Sequence, residues 1–186
     1  MARIEDLAEA YKRHISLPWQ KTVAGAQRII ILVYEKEMER TLRARLDHFQ
    51  LATVQANKKW RCVDLTNAFS EWIAADEYRE AYFEAPEDLQ LKLEAEFATA
   101  VADKIRAALA DDDGHEETVT AVLGTGSLFG FTRISKVLSL IEADVRGRLL
   151  VFFPGHYEDN TYRLLDARDG WNYLAVPITL HNGGEP

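Results

Sequence analysis

The run Arg28-Ile29-Ile30-Ile31-Leu32-Val33-Tyr34 is apolar almost throughout and β-branched at four of its positions. A strand with one wet face alternates polar and apolar side chains. An unbroken apolar run instead reads as a strand buried on both faces, the condition of a parallel sheet covered by helices on each side. Working outward, further strands are expected around Trp60 to Leu65 (WRCVDL), from Thr118 (TVTAVL), and from Arg148 to Phe153 (RLLVFF), which Pro154-Gly155 is expected to close. A fifth strand is expected near Tyr173 to Ile178, with Leu164 and Leu165 as a short edge strand before it.

Helical stripes fill the intervals. Ile4, Leu7, Ala8 and Tyr11 recur at helical spacing up to Ser16-Leu17-Pro18, where proline pushes its predecessor out of helical geometry. Met38, Leu42, Leu46 and Phe49 form one stripe of a single helix, and Thr66 is placed to N-cap another that carries Phe69, Trp72 and Ile73. Pro86-Glu87-Asp88 opens a long helix through Leu93, Phe97, Val101 and Ile105 to Leu109, which Asp111-Asp112-Asp113-Gly114 is expected to stop. Ile134, Val137, Leu138 and Ile141 share one face of the next helix. Strands alternating with helices predict an α/β fold: a doubly wound, mostly parallel sheet of about five strands flanked by helices. One domain over residues 1–186 is expected, and its element order is compatible with a P-loop-like core that lacks a Walker A site.

Bulk properties exclude several classes. The 47% hydrophobic and 28% charged content is that of a globular domain rather than a disordered chain. The longest apolar run, Ile29 to Tyr34, is too short to span a bilayer, and the charged amphipathic start lacks the apolar centre of a signal peptide. Cys62 is the only cysteine, so no internal disulfide or cysteine metal cage can form. A cytoplasmic location is expected. The net charge of −8 is uneven: residues 71–117 carry 15 acids against 4 bases, while residues 1–70 carry 12 bases against 8 acids. The acidic segment reads as a solvated face and secondarily as a docking surface for a basic partner. Arg40, Arg43 and Arg45, interleaved with Glu37, Glu39 and Asp47, read as a solvated helix face.

In a doubly wound sheet, ligands gather at the C-terminal strand ends. Glu35-Lys36, Asp64 to Asn67, Gly124 to Gly130 and Pro154 to Arg163 are expected to emerge there. The glycine turn supplies Gly124, Gly126 and Ser127 and is expected to lead into a helix whose free N–H groups could receive an anion, with Arg133 one turn in. The last loop adds Pro154, Gly155, His156, Tyr157, Asp159, Asn160 and Arg163. No dinucleotide site is expected. The spacing is G-x-G-x-x-x-G, Phe129 stands where the fingerprint needs glycine, and no acid ends the next strand at Phe153. The glycines read instead as permitting a tight turn and close packing. After the first strand, Tyr34-Glu35-Lys36-Glu37 has no glycine and repels phosphate, which disfavours a P-loop. Cys62 reads as a buried, inert thiol. The five histidines (14, 48, 115, 156 and 181) show no metal spacing. Ser127 could act as a nucleophile only if His156 and Asp159 met it in space, and its surroundings are not a nucleophile elbow. Trp60, Trp72, Tyr78, Tyr82 and Phe83 read as core or interface aromatics.

The succession Val119-Thr120-Ala121-Val122-Leu123-Gly124, Ser127-Leu128-Phe129-Gly130-Phe131 and Arg133-Ile134-Ser135 resembles the BrxB family. So does Leu150-Val151-Phe152-Phe153-Pro154-Gly155 with Tyr157 and Tyr162-Arg163-Leu164-Leu165-Asp166. The resemblance is close over the C-terminal half. It implies a component of a BREX system, which restricts phage DNA and modifies host DNA. The known chemistry of such systems belongs to a methyltransferase, an ATPase and a PglZ-type phosphatase-like protein. No catalytic residue and no cofactor carries over. Gly124, Ser127, Arg133, Pro154, Gly155, Tyr157 and Arg163 transfer only as motif positions. The expected role is assembly onto other BREX proteins, the PglZ-type component foremost. Two alternatives stay open: a nucleotide-binding or hydrolytic protein using the 124–130 turn, and a nucleic-acid contact through the basic N-terminal region or the arginines of the C-terminal third.

Overall fold

The computed structural model describes residues 3–110 and 115–180. In chain order the main elements begin with α1 (Ile4–Ser16), β1 (Ile29–Tyr34), α2 (Glu39–Ala44), α3 (Leu46–Gln55) and β2 (Lys59–Asp64). Next come α4 (Ala68–Ala74), α5 (Arg79–Glu84), α6 (Leu89–Lys92), α7 (Ala98–Ala110) and β3 (Thr118–Leu123). The chain continues with α8 (Ile134–Ile141), β4 (Arg148–Glu158), β5 (Thr161–Leu164) and β6 (Val176–Ile178). The six strands form a mostly parallel sheet in the order β2-β3-β4-β1-β6, with β5 antiparallel to β4.

The continuous apolar strands are buried on both faces, as their composition requires. Ile29, Ile31 and Val33 of β1 point into one core with Val101, Ile105, Val137 and Ile141 of α7 and α8. Ile30, Leu32 and Tyr34 point into the other, against Leu7 and Tyr11 of α1 and Phe49 of α3. The chain leaves β1 for the far edge at β2, then steps back through β3 and β4 to β1's side. That reversal puts the first crossover on one face and the next two on the other, and opens a crevice at the C-terminal strand ends. Pro177 sits in β6, which pairs only with β1, so its missing N–H costs no ladder bond on the outer side. Among the described residues, no helix is long and apolar enough to cross a membrane.

Several expectations need correction. Pro154-Gly155 does not close β4. The strand runs on to Glu158, 11 residues in all, and folds back on β5 through a two-residue turn, Asp159-Asn160, with φ of 49° and 61°. Positive φ at both central positions is the type I′ geometry that matches the twist of a hairpin. The 154–163 segment is therefore a hairpin and not a loop. The Met38–Phe49 stripe is divided among a 3₁₀ turn that ends at Met38 and two helices broken at Arg45. The long helix from Pro86 begins as a 3₁₀ turn and contains a π-helical segment, Leu93–Phe97, although Leu93, Phe97, Val101 and Ile105 are all buried as expected. Thr66 caps no helix; its side chain bonds Asp64 instead. Of the aromatics read as core or interface, Tyr78 and Phe83 are 60% and 62% exposed, which removes only the core half of that reading. The expected stop at Asp111–Gly114 and His181 lie outside the described residues.

Candidate functional site

The crevice is built where β1, β2 and β3 end beside Pro154, midway along β4. A cavity of about 320 Å³ there is lined by Lys36 and Arg43 from the β1 side, Thr66 after β2, Gly124, Gly126 and Ser127 after β3, and Pro154 of β4. Arg43 ties the strand ends together. Its Nε donates to Glu39 Oε1 (2.7 Å), Nη1 to Asp64 Oδ2 (2.9 Å) and Nη2 to Thr66 Oγ1 (2.8 Å). Thr66 in turn donates its hydroxyl (2.5 Å) and its backbone N–H (3.0 Å) to Asp64 Oδ1. Tyr34 donates its hydroxyl to Glu39, and Lys36 pairs with Asp166. Burial works to raise the Asp64 carboxyl, but the bonds from Arg43 and Thr66 outweigh it and hold its pKa at about 2. Arg43 is therefore not the solvated helix residue that its charge pattern suggests. Arg45 does lie at the surface, paired with Glu5.

Gly124 closes the crevice floor. Its φ of +77° favours glycine, and a methyl group on it would stand 2.6 Å from the Thr66 nitrogen and 2.8 Å from Asp64 Oδ1. Gly126 is roomier: an added Cβ would meet Pro154 Cγ at 3.4 Å. A side chain on Gly155 would run into the Arg163 carbonyl across the hairpin. Leu165, at φ 52°, holds a left-handed conformation disfavoured for a side chain of its size, and its N–H donates to the Pro154 carbonyl (2.8 Å) beside the cavity.

The remaining motif residues lie elsewhere. The glycine turn continues as a 3₁₀ turn, Thr125–Leu128, and α8 starts only at Ile134, so Arg133 is its N-cap residue rather than a residue one turn in. Arg133 lines a separate groove of about 580 Å³, formed by 129–136, 167–171 and the Gln90/Glu94 side of the long helix. There Phe129 is 49% exposed, and Phe131 stacks on Phe69 at 4.0 Å. Trp171 stacks on buried Tyr162 at 5.0 Å. Arg133 lies 3.7 Å from Asp169, and Lys136 donates to the Glu94 carbonyl. His156, Tyr157 and Arg163 ride on the hairpin, where the Tyr157 hydroxyl donates to Asn160 Oδ1 (3.0 Å).

Catalytic arrangements find little support in this geometry. Ser127 lines the crevice and His156 does not, and no hydrogen bond joins Ser127, His156 and Asp159 among the described residues. Cys62 is exposed on the edge strand β2 rather than buried. Its thiol is nonetheless pushed up to about 11 by desolvation and then by the Asp64 charge, which leaves it protonated at neutral pH. Among the described residues no group of three or more His, Cys, Asp or Glu could hold a metal.

Sequence reasoning missed Glu39, Arg43, Asp64 and Thr66 as a unit. Only the i,i+4 pair Glu39/Arg43 was visible locally, because the other partners lie 21 and 23 residues away. It also missed Lys136, Arg168 and Trp171 as neighbours of the Phe129–Arg133 motif.

Comparisons with curated proteins and with solved structures find no match. A family model described as BREX protein BrxB matches residues 61–178, from β2 through β6 and including every motif residue of both sites. The match spans well over half of the sequence, and with it the chain belongs to the BrxB family, a component family of the BREX defence systems.

Proposed function

We propose that this protein is a non-catalytic assembly component that docks onto another BREX protein, with the PglZ-type component as favoured partner. The observation that carries the reading is the groove beside α8. Its walls are family-motif residues, Phe129, Phe131 and Arg133, left open to solvent next to Trp171, Lys136 and Arg168. Solvent-facing aromatics among arginines are the composition of interface hot spots. The crevice supports the same reading from the other side, because Arg43, Asp64 and Thr66 bond one another and Lys36 is taken by Asp166. A cytoplasmic location goes with this role.

The test is affinity measurement between the full chain and the purified PglZ-type protein. Binding should weaken about 30-fold in Phe129→Ala/Arg133→Ala, the equivalent of roughly 2 kcal/mol at a hot spot. Phe131 is left intact because its ring packs on Phe69. No complex with the wild-type chain at concentrations well above micromolar would refute the reading.

A further inference from the structure

At the end of the sheet opposite the crevice, cations exceed their partners. Arg28 leads into β1, while Arg146 and Arg148 stand at the start of β4. With Lys21 they line a cavity of about 150 Å³, whose acidic lining residues are Glu116 and Glu117. Glu117 is taken by Lys58, and Glu116 reaches Lys21 only at 4.0 Å.

Arg148 is 9% exposed. Its guanidinium donates to the Gly147 carbonyl (3.0 Å) and lies over the Trp19 ring at 4.7 Å, and among the described residues no carboxylate pairs with it. Arg28 donates Nη1 to the Val145 carbonyl and Nη2 to the Lys21 carbonyl, both at 2.8 Å, and its Nε is buried without a partner. Guanidinium does not release its proton in proteins, so two of them at one cavity make a strongly positive, poorly hydrated site. Burial, and then the charge of Arg28, lower the pKa of Arg148, the mark of a charge short of compensation. The neighbouring ring and carbonyls supply only part of it.

We propose that Arg28, Arg146 and Arg148 form a binding site for one phosphate group, supplied either as free phosphate or by a nucleic-acid backbone. Arginine presents a planar fork of donors that matches phosphate oxygens. Arg28 keeps an Nε–H that no protein group accepts, and exposed Arg146 stands at the rim of the cavity. The cavity is smaller than the roughly 300–1,000 Å³ of small-molecule pockets, which suits a tetrahedral oxyanion and not a whole nucleotide. The basic residues of the N-terminal region and those of the C-terminal third, far apart in sequence, meet here.

The experiment is thermal unfolding of the full chain in inorganic phosphate against sodium chloride at matched ionic strength. Phosphate should raise the melting temperature saturably. Phosphate affinity should fall at least tenfold in Arg28→Gln and in Arg146→Gln, and should rise in Glu116→Gln, which removes a repelling charge. Because loss of buried Arg148 can unfold the chain, exposed Arg146 carries the test. A labelled 20-base-pair duplex forms the second arm. If duplex binding is competed by phosphate and lost in the same variants, the backbone is the source. If phosphate binds and the duplex does not, the source is free phosphate. Absence of any phosphate-specific rise, or a rise unchanged in both arginine variants, overturns the proposal.

Discussion

Replacing Gly124 by alanine tests whether the crevice floor is fixed by crowding or only by backbone angle. Gly124 and Gly130 share left-handed φ, +77° and +83°, but differ in surroundings. A methyl group on Gly130 meets nothing within 4 Å, whereas on Gly124 it falls 2.6–2.8 Å from three atoms of Thr66 and Asp64. Gly130→Ala should therefore cost only the backbone term, about 1–2 kcal/mol. Gly124→Ala adds the loss of the hydrogen bonds to the Asp64 carboxylate, about 1.5–3 kcal/mol for a charged acceptor, for a total of about 2.5–5 kcal/mol. In a domain of this size that corresponds to a melting temperature lower by roughly 10 °C. Urea unfolding of both variants beside the wild type measures the difference directly, as a shift in midpoint at unchanged slope. A Gly124→Ala cost no greater than that of Gly130→Ala would refute the argument, since it would mean that the Asp64–Thr66 turn yields freely.

The same turn makes stability pH-dependent. Asp64 is held at about 2, below the ordinary aspartate value near 3.9, so its contribution is present above about pH 4 and is lost as pH falls toward 2. Acid titration of stability should show Asp64→Asn losing that part of the slope, and identical acid limbs would contradict the assignment. In the α1/α3 core, Thr53 donates its hydroxyl to the Phe49 carbonyl and accepts that of Tyr11 at 2.6 Å. Tyr11→Phe should cost about 1 kcal/mol, while Thr53→Val strands a buried phenol and should cost about 2 kcal/mol or more. Equal losses in chemical denaturation would count against this direction of donation.

The sheet was legible because its evidence is local: IIILVY, TVTAVL and RLLVFF are each buried along their whole length. Burial on both faces leaves no polar face to encode, so composition alone identifies such strands. The stripes of α1 and α8 were equally plain, with Leu7/Tyr11 and Ile134/Leu138 inside. What failed was whatever depends on distant partners or on small energetic margins. Pro154-Gly155 looks like a stop, yet the strand passes through it because Gly155 lets the Arg163 carbonyl approach closely. The Asp159-Asn160 pair was a readable hairpin signal that the polar character of the segment masked. Arg43 looks like any helix-surface arginine until the β2 and β3 ends arrive beside it. Cys62 looked buried because it sits inside a strand, but an edge strand leaves its position uncovered.

One consequence concerns β4. Its 11 residues, roughly 36 Å at about 3.3 Å each, begin between β3 and β1 in the middle of the sheet and end as one arm of the hairpin. No loop intervenes, so the hairpin has no hinge of its own and cannot swing without bending the central strand. A protein that grips Tyr157 or Arg163 would pull on a rod anchored in the core. Its binding should be felt as slower amide exchange at Leu150 to Phe152, well away from the point of contact.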